Sequence, residues 1–241
     1  MKVVKSICLD AEKNGQRVNR QLKDFMGFSI EAPKVILSLD EIEQIKKTNL
    51  YSEHLEITRD WLIIGCFSGQ RVSDLLRMNS SFIQRIQNFE FIVLTQQKTN
   101  KTVQIPIHYE VQEILDKRGG DFPPVFANNI DSSKTLFNRY LKQLCKLSGI
   151  DKVVKGNKFE KSLKRNITGM YPKYNLVSSH ICRRSFASNH YATELYPTPL
   201  LMNITSHETE KMFLTYIGKK PIDYSLSLAK IWEKLGKDYN S

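Results

Sequence analysis

The sequence predicts a mainly α-helical domain with a small antiparallel β-sheet, an α+β fold, on three observations. Apolar residues recur at helical spacing through most of the chain. Between residues 89 and 107 the period changes to alternation. Local start and stop signals bound the helical stretches, among them a capping box at Ser38–Glu41 and the glycines Gly69 and Gly149. The 241 residues include 41% hydrophobic and 25% charged side chains, a balance that excludes a disordered, collagen-like or low-complexity chain.

Each element follows from a local pattern. Val3, Val4, Ile7, Cys8 and Ala11 share one helical face, and Asn14-Gly15 then breaks the chain. Leu22, Phe25 and Met26 form a second apolar cluster, but residues 1–27 are too short to bury both clusters alone. Residues 28–37 contain Pro33 and no helical period, which suggests an extended linker. The main domain is expected over 38–241. Its first helix has Leu39, Ile42 and Ile45 inward, and a second covers about 53–67 and stops at Ser68-Gly69. A third starts near Gln70, with Val72, Leu75 and Leu76 inward.

Phe89, Phe91 and Val93 alternate, as do Val103, Ile105 and Ile107, around a polar turn at 96–101, so a β-hairpin is expected. Pro106 marks an exposed edge. Helices follow at about 109–118 and 133–148, the latter with Leu136, Phe137, Tyr140, Leu141 and Leu144 inward. Residues 151–175 are polar and basic, and read as a solvent-facing hairpin or loop. Further helices are expected over 179–195, after Pro199, over 208–217 and over 225–235. In the last, Leu228, Ile231, Trp232 and Leu235 form one apolar stripe.

Thirty-six Lys and Arg against 25 Asp and Glu give +11, which favours a polyanionic partner, nucleic acid first. Cys8, Cys66, Cys145 and Cys182 are far apart with no Cys-x-x-Cys pair, so neither a zinc site nor any other metal centre is expected. No apolar run is long enough to span a membrane, and the first residues lack a signal peptide's pattern.

Four separated segments carry charged or reactive residues that a core does not favour. Arg71 begins a helix after a glycine turn, where its charge opposes the helix dipole unless an anion binds nearby. Lys98 occupies the hairpin turn, and Lys101 lies three residues on. His180 and Arg183 are spaced to share a helix face, and His207 precedes Tyr216 by nine residues. Taken singly, each has a plain structural reading: Arg71 paired with Asp74, Lys98 a solvated turn lysine, Tyr216 a half-buried core tyrosine.

The ordered set Arg71, Lys98, His180-x-x-Arg183, His207 and Tyr216 resembles the catalytic domain of the tyrosine recombinases, the phage integrase family. The resemblance covers roughly 38–241 and is carried by 68–76, 180–186 and 205–217, in the style of integrases of Bacteroides-type mobile elements. Ser206 is a departure, since the family usually has glycine before this histidine.

The resemblance implies a site-specific recombinase that cleaves and rejoins DNA through a 3′-phosphotyrosine. Arg71 and Arg183 would clamp the phosphate, with His207 donating to it. Tyr216 would be the nucleophile, His180 its base and Lys98 the acid on the leaving 5′-oxygen. No metal, ATP or other cofactor is implied. The implied partners are double-stranded DNA, including attachment sites and a Holliday junction, and further copies in a homotetramer with the C-terminal helix exchanged. Residues 1–27 would be the remnant of a core-binding domain, and the protein would act in a bacterial cytoplasm. A type IB topoisomerase and a non-catalytic DNA-binding protein on the same fold are the alternatives.

Overall fold

The computed structural model describes residues 2–22, 24, 33–192, 195–219 and 221–238. The chain divides into two compact units, Met1–Pro33 and Lys34–Ser241. In the first, α1 (Lys2–Lys13) ends as expected at Asn14-Gly15, with Gly15 at φ 83°. Val3, Val4 and Ile7 are exposed. Phe25, Met26 and residues 28–32 of the expected linker lie outside the described residues.

In the second unit residues 34–38 form no helix or strand, yet Leu37 is fully buried. Its N–H donates to Ser185 Oγ at 2.8 Å and its carbonyl accepts from Asn189 at 3.0 Å. Helix α2 (Leu39–Lys47) opens with the expected capping box: Ser38 Oγ accepts from the Glu41 N–H, and Glu41 Oε2 from the Ser38 N–H. Ile42 and Ile45 are buried, whereas Leu39 is exposed at the helix start.

Helix α3 (Glu53–Ser68) is the centre of the domain. Trp61, Leu62, Ile63, Ile64 and Cys66 are all buried because α2, α5 (Tyr109–Lys117), α6 (Ile130–Leu147) and α8 (His180–Ala192) pack around it. Each fully buried side chain of this size contributes about 1.5–3 kcal/mol relative to exposure. Gly65 sets the closeness of α3 to α8, since a Cβ there would stand 2.8 Å from Cys182 Cβ. Gly69 then ends α3 in the left-handed region (φ 67°), before the short α4 (Val72–Leu75).

Strands β1 (Ile83–Ile86), β2 (Phe89–Thr95) and β3 (Thr102–Pro106) form an antiparallel sheet in the order β1-β2-β3. The expected hairpin is β2–β3; β1 was not foreseen, being four residues with a polar middle. Pro106 lies on the edge strand, as expected. The buried phase of β2 is Ile92 and Leu94, opposite Ile105 and Val103, while Phe89 is exposed. Both phases of β2 are apolar, so its own alternation could not choose between them.

Helix α6 starts three residues earlier than expected because Asn129 caps it. After Gly149 come β4 (Val153–Glu160) and β5 (Arg165–Pro172), paired in a two-stranded ribbon, and the short α7 (Lys173–Leu176). A second small core of Phe186, Ala187, Leu201 and Phe213 ties α8 to α9 (Thr198–Thr205) and α10 (Glu210–Ile217). Helix α11 spans Pro221–Asp238, longer at both ends than the sequence suggests. No described helix is long and apolar enough to cross a membrane.

Candidate active site

The structure brings five of the six predicted residues into one cleft between α4, α8, α9 and α10, with Lys98 on the hairpin beside it. Gly69 starts the assembly: its positive φ turns the chain, and its missing Cβ leaves room for the Phe186 ring, 2.5 Å from where that atom would be. Arg71 stands as the N-cap of α4, half-buried. From α8, Arg183 reaches back to the same turn. Its Nη1 donates to the Gly69 carbonyl at 3.0 Å and its Nη2 to the Thr205 carbonyl, leaving it 1% exposed.

Tyr216, near the end of α10, points at the first residue of α8. Its Oη lies 3.1 Å from His180 Nε2, and the two rings meet edge to face. The His207 ring is 4.9 Å from that of Tyr216. Ser206 holds the turn before His207 at φ 49°, ψ 44°, the left-handed conformation the family's glycine would supply. Its Oγ is buried without a hydrogen-bond partner among the described residues.

Three residues that sequence reasoning missed organise this set. Gln96 Oε1 accepts from Arg71 Nη1 at 3.0 Å and from Thr99 Oγ1 at 2.9 Å. Gln96 Nε2 donates to Gln70 Oε1 at 2.7 Å, and Gln70 donates in turn to the Ile204 carbonyl at 3.1 Å. Both glutamines are buried, so each amide must find partners, and together they lock Arg71 to the hairpin. Thr205 is the third. Its Oγ1 donates to the Leu201 carbonyl at 2.6 Å and stands 2.8 Å from His207 Nδ1. With its only proton used on Leu201, the hydroxyl accepts from Nδ1–H, which turns Nε2 of His207 toward the cleft. No spacing signature announces a glutamine or a threonine, and only the bonds reveal them.

The local Arg71–Asp74 pairing does not form. Asp74 is buried and binds Arg77 at 3.1 Å and the Gln97 N–H at 2.9 Å. Lys98 is exposed in the turn, which is closed by the Gln96 N–H on the Lys101 carbonyl at 2.9 Å. Lys101 is engaged with Glu208 at 3.3 Å, whereas Lys98 has no ion pair among the described residues. That contrast separates the two lysines.

The electrostatics are those of a cationic cleft. Burial, then Arg184, Arg183, Arg71 and Lys98, push His180 down to about 4. Burial, Arg183 and Arg71 do the same to His207, also to about 4. His180 keeps an exposed edge, so solvent moderates the effect, but burial and four neighbouring cations all act in the same, downward direction. Burial raises Tyr216 to about 12 against the pull of the arginines. Burial and Arg71 lower Arg183 to about 10. At neutral pH both imidazoles are therefore neutral and the phenol is protonated, so Tyr216 O–H donates to His180 Nε2. An anion placed among the arginines would oppose the part of the His180, His207 and Arg183 shifts that the neighbouring cations cause.

The larger clefts lie elsewhere. Cavities of about 520 and 380 Å³ surround Phe67, His108, Tyr109, His190 and Tyr196, and none of the six predicted residues lines them. A smaller one of about 280 Å³ opens between Lys101 and His207.

Residues 36–221 match the model of the phage integrase family. The chain belongs to that family. Among solved members of the fold, the λ integrase (residues 75–356) dimer bound to a COC′ core site is 17% identical at a TM-score of 0.61, with 91% of this chain and 72% of that one covered. XerH site-specific recombinase in a post-cleavage complex on a palindromic difH substrate is 15% identical at 0.57, covering 87% and 56%. The λ integrase tetramer on a Holliday junction is 16% identical at 0.59, covering 91% and 59%. At these identities the likeness is one of fold. The chain thus spans little more than half of the XerH chain and of the λ integrase chain in the tetramer. No curated protein matches the sequence significantly.

Proposed function

We propose that this chain is the strand-transfer part of a site-specific DNA recombinase or integrase, working through a 3′-phosphotyrosine without metal or ATP. The observation that carries the reading is the Tyr216 hydroxyl at 3.1 Å from a neutral His180, beside Arg71 and Arg183. The scissile phosphate sits between the two guanidinium groups, which take its nonbridging oxygens and balance the charge built in the pentacoordinate transition state. The Tyr216 oxygen attacks phosphorus as its proton passes to His180 Nε2. The bond from phosphorus to the 5′-oxygen breaks, and Lys98 supplies the proton that oxygen needs. The phosphate charge raises His207, which then donates from Nε2 while Thr205 holds Nδ1. Reversal with another strand's 5′-hydroxyl rejoins the DNA, because the ester bond is conserved rather than hydrolysed.

The substrate is double-stranded DNA at attachment sites in a bacterial cytoplasm, and four protomers exchange strands through a Holliday junction. Residues 1–27 are the end of a core-binding domain that completes the grip on DNA. Helix α11 docks on the next protomer: Leu228, Ile231, Trp232 and Leu235 are all exposed on their own chain. The test is incubation with a nicked duplex carrying the attachment site, read on a denaturing gel. The wild type should form a covalent adduct in EDTA. Tyr216→Phe should form none while binding DNA within about twofold of wild type, since only the attacking oxygen is lost. An adduct that survives the substitution, or one that requires magnesium, overturns the reading.

A further inference from the structure

The β4–β5 ribbon is the most basic stretch of the chain, and the chemistry above does not use it. Across residues 152–165, Lys152, Lys155, Lys158, Lys161, Lys164 and Arg165 face a single acid, Glu160. Glu160 is already engaged by the Ser162 N–H and hydroxyl.

The ribbon has a fixed root and two unlike faces. At the root the Lys173 N–H donates to the Lys152 carbonyl and the Tyr174 N–H to the Ile150 carbonyl, both at 3.0 Å. Lys173 Nζ is bonded to Glu41, the same carboxylate that closes the α2 capping box. One face turns inward: Gly156 is buried, and a Cβ there would stand 2.3 Å from Leu176 of α7. The other face carries the cross-strand pairs Lys155–Met170, Asn157–Thr168 and Phe159–Asn166. All six of these side chains are exposed. The middle pair is joined by Thr168 Oγ1 donating to Asn157 Oδ1 at 2.6 Å, which leaves the Asn157 amide N–H groups directed by the pair.

We propose that this ribbon is a DNA-reading element apart from the strand-transfer site, entering a duplex groove with Lys155, Asn157, Asn166 and Thr168 while its basic tip holds the flanking phosphates. The inference rests on the DNA-recombinase reading above. A two-stranded ribbon fits a major groove about 12 Å wide, and amides present both a donor and an acceptor to base edges. The six cations to one acid select a polyanion over a protein surface. The rigid root lets the ribbon bear on DNA without a hinge, eight residues before His180 in the chain.

The test uses the full chain and a library of duplexes with a randomised core. Selection by wild type is compared with that by a face variant (N157A/N166A/T168A) and a tip variant (K161E/K164E/R165E). The face variant should keep the salt dependence of wild type but lose base preference over a block of a few adjacent positions. The tip variant should bind every duplex about tenfold or more weakly, with its salt slope reduced by about 0.9 per lost phosphate contact. Circular dichroism confirms that both remain folded. If both variants select and bind as wild type does, the ribbon is not a DNA element. If they change sedimentation of the DNA-free chain and not its selection, the ribbon contacts another copy and the proposal is overturned. Adduct formation on a nicked duplex is scored separately. Its absence in wild type with an altered selection by the variants would sink the recombinase reading and leave the ribbon standing.

Discussion

The cleft around Tyr216 and the helix that follows it stand a few residues apart in the chain but are held in opposite ways. In the cleft the two proposed phosphate-binding arginines are held by the same chain: Arg183 is 1% exposed on two carbonyls and Arg71 is fixed by Gln96, while Phe213 anchors α10 at 0% exposure. In α11 the apolar stripe has no such cover; Trp232 is 65% and Leu235 57% exposed. Burial in the cleft is settled by its own fold. The stripe of α11 is amphipathic in sequence and lacks the apolar environment that would reward it. A region complete within one chain can carry chemistry, and an uncovered region adjoining it can make that chemistry depend on assembly.

Four measurements would break or sharpen this contrast. The largest effect is expected at Lys98, the exposed member of the cleft. Lys98→Ala should slow cleavage by roughly 10²–10⁴, and a substrate whose bridging 5′-oxygen is replaced by sulfur should restore the rate, since a thiolate leaves without a proton. Lys101→Ala, which breaks only the pair with Glu208, should show neither effect. If Lys101→Ala gives the slowing and the rescue instead, the two lysines are exchanged.

Next is α11. Deleting residues 222–241 should leave single-site binding intact and weaken cooperative binding to paired sites by about tenfold or more. Unchanged cooperativity would mean that the stripe packs on its own chain, and the contrast drawn above would be lost.

The third reads the cleft without DNA. His180 and His207 lie at about 4 in the folded chain, below the ordinary 6.5. Between those values the unfolded chain binds more protons, so stability is full above about pH 6.5 and falls as the pH drops toward 4. Melting temperature should decline across that window, and the H180N/H207N variant should decline less. Parallel curves for the two proteins would show that the imidazoles are not held neutral by their neighbours.

The smallest effect belongs to the turn. Ser206→Gly removes a left-handed non-glycine residue whose buried hydroxyl has no partner among the described residues. It should raise stability by about 1 kcal/mol in urea denaturation, and a loss instead would mean that the serine hydroxyl is paired.

Some of this was legible in the sequence because the signals are local. The Ser38–Glu41 box, the Gly69 stop and the β2–β3 alternation depend on residues within one turn or one hairpin of each other. The order and spacing of Arg71, Lys98, His180, Arg183, His207 and Tyr216 are likewise a linear pattern, and the family match over residues 36–221 bears out the resemblance they suggested. Strand β1 was missed because Gln84 and Arg85 leave only two apolar residues in four, too few to show a period.

What the chain alone determined, then, is where most of the helices form, several of their caps and stops, and which reactive residues they carry, since backbone bonding and capping act over a few residues. Tertiary structure decided the rest through contacts between distant residues. Ile92 and Leu94 were chosen over Phe91 and Val93 as the inner face of β2 by their register with Ile105 and Val103. Glu41 serves Lys173, 132 residues away, as well as its own cap. Arg71 turned from its near neighbour Asp74 to Gln96 because the buried amides of Gln70 and Gln96 had to be satisfied across 26 residues of chain. A buried polar group takes whichever partner the fold brings within 3 Å, and that distance is written in no sequence motif.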